Sequence, residues 1–349
     1  MKKKNILNLI KYYSEKNDIQ FRNEAYDIAR DFDSAGDYQL AEYIMSLLSK
    51  NNVFYPQVND DKESFFKKVD VGNESLPLPK AISDDIVGMI NAINHNAGIN
   101  KFMFIGAPGT GKTETVKQVA RLLERQLFMI DTSELIDSKL GQTAKNISDA
   151  FAEINTLPYP AKVLILIDEL DSIALDRINN NDLREMGRVT SAFFKELDNL
   201  NENIVLVATT NLFERFDKAL TRRFDSIIDF NRYTKEDLVE VAESILNTQL
   251  KRFKTAGHDM KLFKKIINCM TIIPYPGELK NLIRSSIAFS NPNNEFDYLR
   301  RMIRNVIPNI GEISPNNLQK RGFTIREIEV LTGVSKSSVQ RELKGENHE

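Results

Sequence analysis

Two hydrophobic rhythms alternate along the chain. Residues 101–105 (Lys-Phe-Met-Phe-Ile), 163–167 (Val-Leu-Ile-Leu-Ile) and 204–208 (Ile-Val-Leu-Val-Ala) are short apolar runs. Runs of that length and composition predict strands buried on both faces, as at the centre of a parallel sheet. A further strand is expected over residues 226–230. Elsewhere the period is helical. Val116, Val119, Ala120 and Leu123 line one face of a helix after the first strand. Thr234 opens another as a capping side chain, with Asp237 in the first turn and Leu238, Val241, Ala242 and Ile245 inward. The Pro-Tyr-Pro-Gly turn at residues 274–277 starts one more, whose Lys280 and Arg284 read as solvated, with a second, ligand-sensing role as the alternative.

Both ends carry patterns of their own. Ile6, Leu7, Leu9 and Ile10 predict a first helix, residues 21–29 a second, and residues 40–48 a third with Ala41, Ile44 and Leu47 on one face. Residues 1–50 therefore read as a helical docking module, and the polar residues 51–75 as a linker. At the other end Thr324 caps a helix bearing Ile325, Ile328 and Leu331, which stops at Gly333. Ser335 caps a second helix with Val339 and Leu343 inward. The pair resembles a helix-turn-helix over residues 318–349, presenting Lys336, Ser337, Ser338, Gln340 and Arg341 outward. Glu329 stands where that motif normally buries a small residue. Residues 324–344 are thus candidates for DNA contact, although similar motifs also serve as protein adaptors.

Length and charge narrow the field. A chain of 349 residues exceeds one ordinary α/β domain, and 42% hydrophobic residues give ample core material. A net charge of −2 exerts no global pull on nucleic acid, so any such contact is local. The single cysteine, Cys269, excludes an internal disulfide framework and fits a reducing, cytoplasmic setting. Lys11 interrupts the apolar stretch behind the basic start, and no apolar run approaches a membrane span. No serine-protease triad or His-Glu-x-x-His pattern is legible around His95, His258 or His348.

The chemistry concentrates in four segments. Gly106, Ala107, Pro108, Gly109, Thr110, Gly111, Lys112 and Thr113 fill the pattern G-x-x-x-x-G-K-[ST] between a strand and a helix that continues with Glu114. Backbone amides and a helix N-terminus in this order wrap a polyphosphate, so a nucleoside triphosphate is the expected ligand, which the resemblance named below makes ATP. Lys112 is expected on the β/γ-phosphates and Thr113 on Mg²⁺. Asp168 and Glu169 follow a buried strand, where ligands of open α/β sheets sit. Asp168 is read as holding Mg²⁺ through water, and Glu169 as polarising the attacking water. Asn211 follows the third run and is placed to report the γ-phosphate. Arg222 and Arg223 are read jointly as an arginine finger for a neighbouring subunit.

These four ordered segments look like an AAA+ ATPase, close to the FtsH/proteasomal branch, over roughly residues 75–310. The resemblance implies an α/β P-loop core at residues 76–232 with a five-stranded parallel sheet in the order 5-1-4-3-2. It also implies a helical lid at residues 233–312 and a site at a subunit interface of a homo-oligomer, in that family a ring or hexamer. Two departures stand out. Thr221-Arg222-Arg223-Phe224 lacks the family's Pro-Gly turn, and Lys139 replaces the pore-loop aromatic that grips polypeptide, which argues against processive threading. The order of parts is also similar to bacterial ATPases paired with subtilisin-like serine proteases in defence or toxin–antitoxin-like loci. Three roles follow as expectations: a remodeller or regulator of a partner protein, a DNA-acting ATPase of helicase-loader or transposition-regulator type, or a nucleotide switch that signals by assembly.

Overall fold

A computed structural model describes residues 3–14, 18–34, 36–38, 40–41, 44, 65–72, 76–130, 132–136, 141–157, 159–172, 183–216, 218–253, 255–307 and 313–345. Most of the expected third N-terminal helix, Lys139, and residues 51–64 of the expected linker lie outside them. The chain divides into two units, residues 1–63 and 64–349.

The first unit is a pair of helices, α1 (Lys3–Ser14) and α2 (Asp18–Ser34). Ala25, Ile28 and Ala29 are its buried residues on α2, and the Asn8 amide donates to Glu24 at 2.9 Å. Leu7, Ile10 and Tyr13 remain exposed on α1.

The second unit begins with β1 (Phe66–Val69) and α3 (Lys80–Asn94). It continues through β2 (Lys101–Ile105), α4 (Lys112–Leu122), β3 (Gln126–Ile130), α5 (Gln142–Asn155) and β4 (Val163–Ile167). Then come α6 (Leu183–Asp198), β5 (Val205–Thr210) and β6 (Ser226–Asp229). The strands form one sheet in the order β1-β3-β4-β5-β2-β6. Its five parallel strands keep the expected arrangement. The correction is β1, which pairs antiparallel with β3 (Phe66 opposite Ile130) inside a segment read as linker. The signal was weak because only four residues are involved and Phe-Lys-Lys-Val does not alternate: Phe66 and Val69 pack on opposite faces of the sheet and each shares its face with an exposed lysine.

Side-chain alternation decides which helices lie on which face. Phe102, Phe104, Leu164, Leu166, Val205 and Val207 pack on α3 and α4. Met103, Ile165, Ile167, Leu206 and Ala208 pack on α5 and α6 through residues such as Phe151 and Phe193. Helices on both faces explain why these strands read as continuous apolar runs.

After β6 the chain is helical: α7 (Lys235–Leu250), α8 (Met260–Asn268), α9 (Pro276–Ala288) and α10 (Asp297–Val306). Thr234 and Asp237 close a reciprocal capping box on α7, as expected. Three short helices end the chain: α11 (Pro315–Lys320), α12 (Ile325–Thr332) and α13 (Lys336–Gly345). Their inward residues Leu318, Phe323, Ile328, Leu331, Val339 and Leu343 join the apolar cluster of α7–α10. Lid and helix-turn-helix were read as separate parts, yet they share one core.

No helix among the described residues is long and apolar enough to cross a membrane.

Candidate nucleotide site

Strand order brings together residues that are a hundred positions apart. β2 lies between β5 and β6, and β5 lies beside β4, so residues 106, 211 and 168 leave neighbouring strand ends. Ile105 pairs with Thr210 and Ile167 with Ala208. The Gly106 amide donates to the Thr210 carbonyl at 3.3 Å, fixing the start of the glycine loop against β5.

The loop then enters α4 through Gly111, whose φ of 96° lies in the left-handed region. A Cβ at Gly111 would also stand 2.8 Å from the Leu76 side chain, which would have to move aside, but it is the backbone conformation that demands glycine. Thr110 and Lys112 are buried. The Lys112 ammonium donates to the carbonyls of Gly106 (2.6 Å) and Ala107 (3.0 Å) and to the Asn211 side chain (2.7 Å). Burial pushes its pKa down to about 8, against the upward pull of Asp168, Asp171 and Glu169. It remains a cation at neutral pH, and these three acceptors are uncharged.

Thr113 donates to both oxygens of Asp168, at 3.1 and 3.2 Å. The Thr209 hydroxyl also donates to Asp168 and accepts the Glu169 amide at 3.1 Å. Glu169 sits at φ 53°, a left-handed conformation uncommon outside glycine, and its side chain is exposed toward the cavity it lines. Asp171 is buried; it accepts the Thr210 hydroxyl at 2.9 Å and the Asn211 amide at 3.2 Å. Lys112, Thr113, Asp168, Glu169 and Asn211 thus converge, as the sequence led one to expect. Glu114 also lines the cavity, while Pro108 and Gly109 form its rim next to the lid.

The lid supplies the opposite wall. A cavity of about 310 Å³ lies between the glycine loop and residues Leu76, Ile245, Thr248, Gln249 and Lys280. Lys280, read as solvated, is half-buried there; Arg284 is exposed and does not line it. Three hydrogen bonds tie the loop to the lid and its base. Asn231 accepts the Ala107 amide at 2.9 Å, Tyr233 donates to the Thr110 carbonyl at 2.8 Å, and the Gly277 amide donates to the Gly109 carbonyl at 2.8 Å. Burial raises the Tyr233 phenol well above its ordinary pKa, with Asp237 and Tyr275 adding to the effect, so it stays a donor.

Sequence reasoning missed the supporting residues Asp171, Thr209, Asn231, Tyr233 and Gly277. Asp171 and Thr209 lay within segments already singled out, so proximity to the motif was an available signal. Asn231 and Tyr233 offered none, because their partners are carbonyls and amides of another segment.

The two arginines part company. Arg223 donates to the Ala219 carbonyl at 2.7 Å and to Asp198 at 3.3 Å, and its guanidinium lies 4.2 Å from the centre of the Phe194 ring. Arg222 is exposed. Neither lines the cavity of its own chain.

The comparisons agree with this geometry. Residues 102–232 match the family described as ATPase family associated with various cellular activities (AAA). A proteasome-activating nucleotidase of Haloferax volcanii is 35% identical over 133 residues, 36% of this chain and 32% of that protein. An ATP-dependent zinc metalloprotease FtsH of Lancefieldella parvula is 36% identical over 130 residues, 35% of this chain and 19% of that protein. The chain spans no more than 39% of the length of the first curated relatives it matches. A solved chain from an E. coli MS115-1 HORMA:CdnC:Trip13 complex aligns with a TM-score of 0.50 at 18% identity. It covers 63% of this chain and 87% of that one, a likeness of fold.

Proposed function

Taking residues 102–232 as an AAA ATPase domain of the proteasomal and FtsH-like branch, we propose that this protein hydrolyses ATP in a homo-oligomer and uses lid motion to remodel or regulate a partner protein. One observation carries the reading: Lys112, Thr113, Asp168, Glu169 and Asn211 meet at one strand edge beneath a lid hydrogen-bonded to the glycine loop. Glycines 106, 109 and 111 let the loop backbone close on a polyphosphate, and Lys112 provides charge against its β/γ end. Thr113 and Asp168 bring hard oxygen donors to one point, which fits Mg²⁺. Bound there, the cation would neutralise charge on the phosphates.

Glu169 orients and polarises water for attack, and Asn211, anchored by Asp171, positions the γ-phosphate. Arg222 is the better candidate for the finger that completes a neighbour's site, since it is exposed and Arg223 is bound within its own subunit. Closure and release of the lid then convert the nucleotide state into motion. The α1–α2 pair, with Leu7, Ile10 and Tyr13 exposed, suits a docking module. A cytoplasmic subtilisin-like serine protease is the partner class to which the order of parts points.

Steady-state phosphate release tests the core of the reading. Wild type should turn over ATP with Mg²⁺, and Lys112→Ala and Glu169→Gln should abolish turnover, the second while still binding ATP. Full activity in both variants would refute it.

A further inference from the structure

β5 ends in two threonines whose hydroxyls serve opposite sides of the sheet. Val205 and Val207 pack on the face of α3 and α4, so alternation puts Thr209 on that face and Thr210 on the other. Thr210 reaches Asp171. Thr209 is buried and reaches the two acids at the end of β4. The β4–β5 ladder stops one residue short of it, at Ile167 opposite Ala208. From there the Thr209 hydroxyl takes over, donating to the Asp168 carboxylate and accepting the Glu169 amide at 3.1 Å.

A hydroxyl has one proton to give. Given to Asp168, it leaves the oxygen lone pairs for the Glu169 amide, so the two bonds together fix the Thr209 rotor. Asp168 then has two donors from different parts of the fold. Thr113 stands at the start of α4, directly after the glycine loop, and Thr209 stands in the sheet. Only Thr209 also holds the residue after Asp168. Glu169 needs that hold, because its φ of 53° is a conformation that persists only where the surroundings over-determine it. Its amide is bound by Thr209 and its carbonyl accepts the Ser172 amide at 2.9 Å. The backbone is thereby fixed on both sides, and the side chain is directed to the cavity it lines.

We propose that Thr209 is a positioning residue for hydrolysis: through one hydroxyl it couples the carboxylate that holds the cation to the acid that polarises water. The inference rests on the ATPase reading above. A carboxylate restrained by a second hydrogen bond presents its oxygens to a cation without first losing rotational freedom. Removing such a supporting donor changes metal affinity or rate by about 10- to 100-fold. A methyl in place of the hydroxyl would leave Asp168 with Thr113 and the Glu169 amide without its acceptor. Cation affinity and turnover should then fall together. The glycine loop, which receives no hydrogen bond from Thr209, should keep its grip on the triphosphate.

Titration of the full-length protein with fluorescent mant-ATP, in excess Mg²⁺ and in EDTA, tests this alongside steady-state kinetics. Thr209→Val should bind mant-ATP like the wild type in EDTA and lose about tenfold of the affinity that Mg²⁺ adds. Its kcat should fall by about 10- to 100-fold. Thr209→Ser, which keeps the hydroxyl, should restore both. Thr209→Ala removes the hydroxyl without setting a methyl group against Asp168, and it carries the same expectation should the Val variant fold poorly. A wild-type Mg²⁺ effect in the Val and Ala variants, an equal loss of affinity in EDTA, or a Ser variant as impaired as Val would overturn the positioning role. A wild type that binds no mant-ATP would refute the ATPase reading, and this inference with it.

Discussion

Asp171 holds Asn211: its carboxylate accepts a hydrogen bond from the Asn211 backbone amide at 3.2 Å while the Asn211 side-chain oxygen accepts one from the Lys112 ammonium at 2.7 Å. The same carboxylate oxygen accepts the Thr210 hydroxyl, so the strand end that carries Asn211 is fixed by a buried acid from the turn that follows β4. Replacing Asp171 by Ala frees Asn211 to shift without touching the phosphate loop. The ATPase rate constant should fall by about 10²-fold with little change in ATP affinity. Steady-state kinetics alongside equilibrium nucleotide binding would separate the two, and a loss confined to affinity would contradict this role.

The lid meets the glycine loop backbone to backbone. A Cβ at Gly277 would lie 2.9 Å from the Gly109 Cα. Gly277→Ala must push lid and loop apart, at a cost of about 1–3 kcal/mol for overpacking. Weaker ATP binding is expected, with folding of the lid itself retained; calorimetric titration and a thermal melt read the two separately.

Arg222 and Arg223 should respond differently to truncation. Arg222→Ala should lower turnover by about 10³-fold and leave the melting temperature unchanged. Arg223→Ala should destabilise the subunit, since it loses its contacts with Asp198, the Ala219 carbonyl and the Phe194 ring. Mixing Arg222→Ala with Lys112→Ala subunits is the sharper check. A finger acting in trans gives partial recovery of activity in mixed assemblies, and a finger acting within its own subunit gives none.

Acid should weaken the packing of the C-terminal helices. Burial works to raise the Glu327 pKa, but hydrogen bonds from Lys265 and Thr324 outweigh it and hold the carboxyl below its ordinary 4.5. A carboxyl more acidic in the folded state contributes stability that is fully present above about pH 4.5 and lost as pH falls through the folded value. Wild type should therefore lose stability in that window, and Glu327→Gln should show a flatter profile. Unfolding midpoints followed from pH 6 downward, at about half-unit steps, would show it.

Much of the candidate nucleotide site was legible because its residues lie in short contiguous motifs beside buried strands. The glycine loop needs consecutive residues with special backbone freedom, and strand ends carry their polar groups next to apolar runs that periodicity reveals. The capping boxes at Thr234 and Thr324 were equally local, since donor and acceptor lie three residues apart. The edge strand at residues 66–69 was not legible, because its partner lies about sixty residues away and its four residues show no alternation of apolar and polar positions.

By itself the sequence determined the central strands, the glycine loop with its helix, the acidic strand end and the presence of two adjacent arginines, all set by near neighbours in the chain. Only the tertiary structure decided that Asp171 anchors Asn211, that Gly277 seats the lid on Gly109, and that Arg223 is bound while Arg222 is exposed. It also decided that the C-terminal helices belong to the lid's core. Those outcomes depend on which distant surfaces meet when the apolar faces are buried, and no local pattern encodes that.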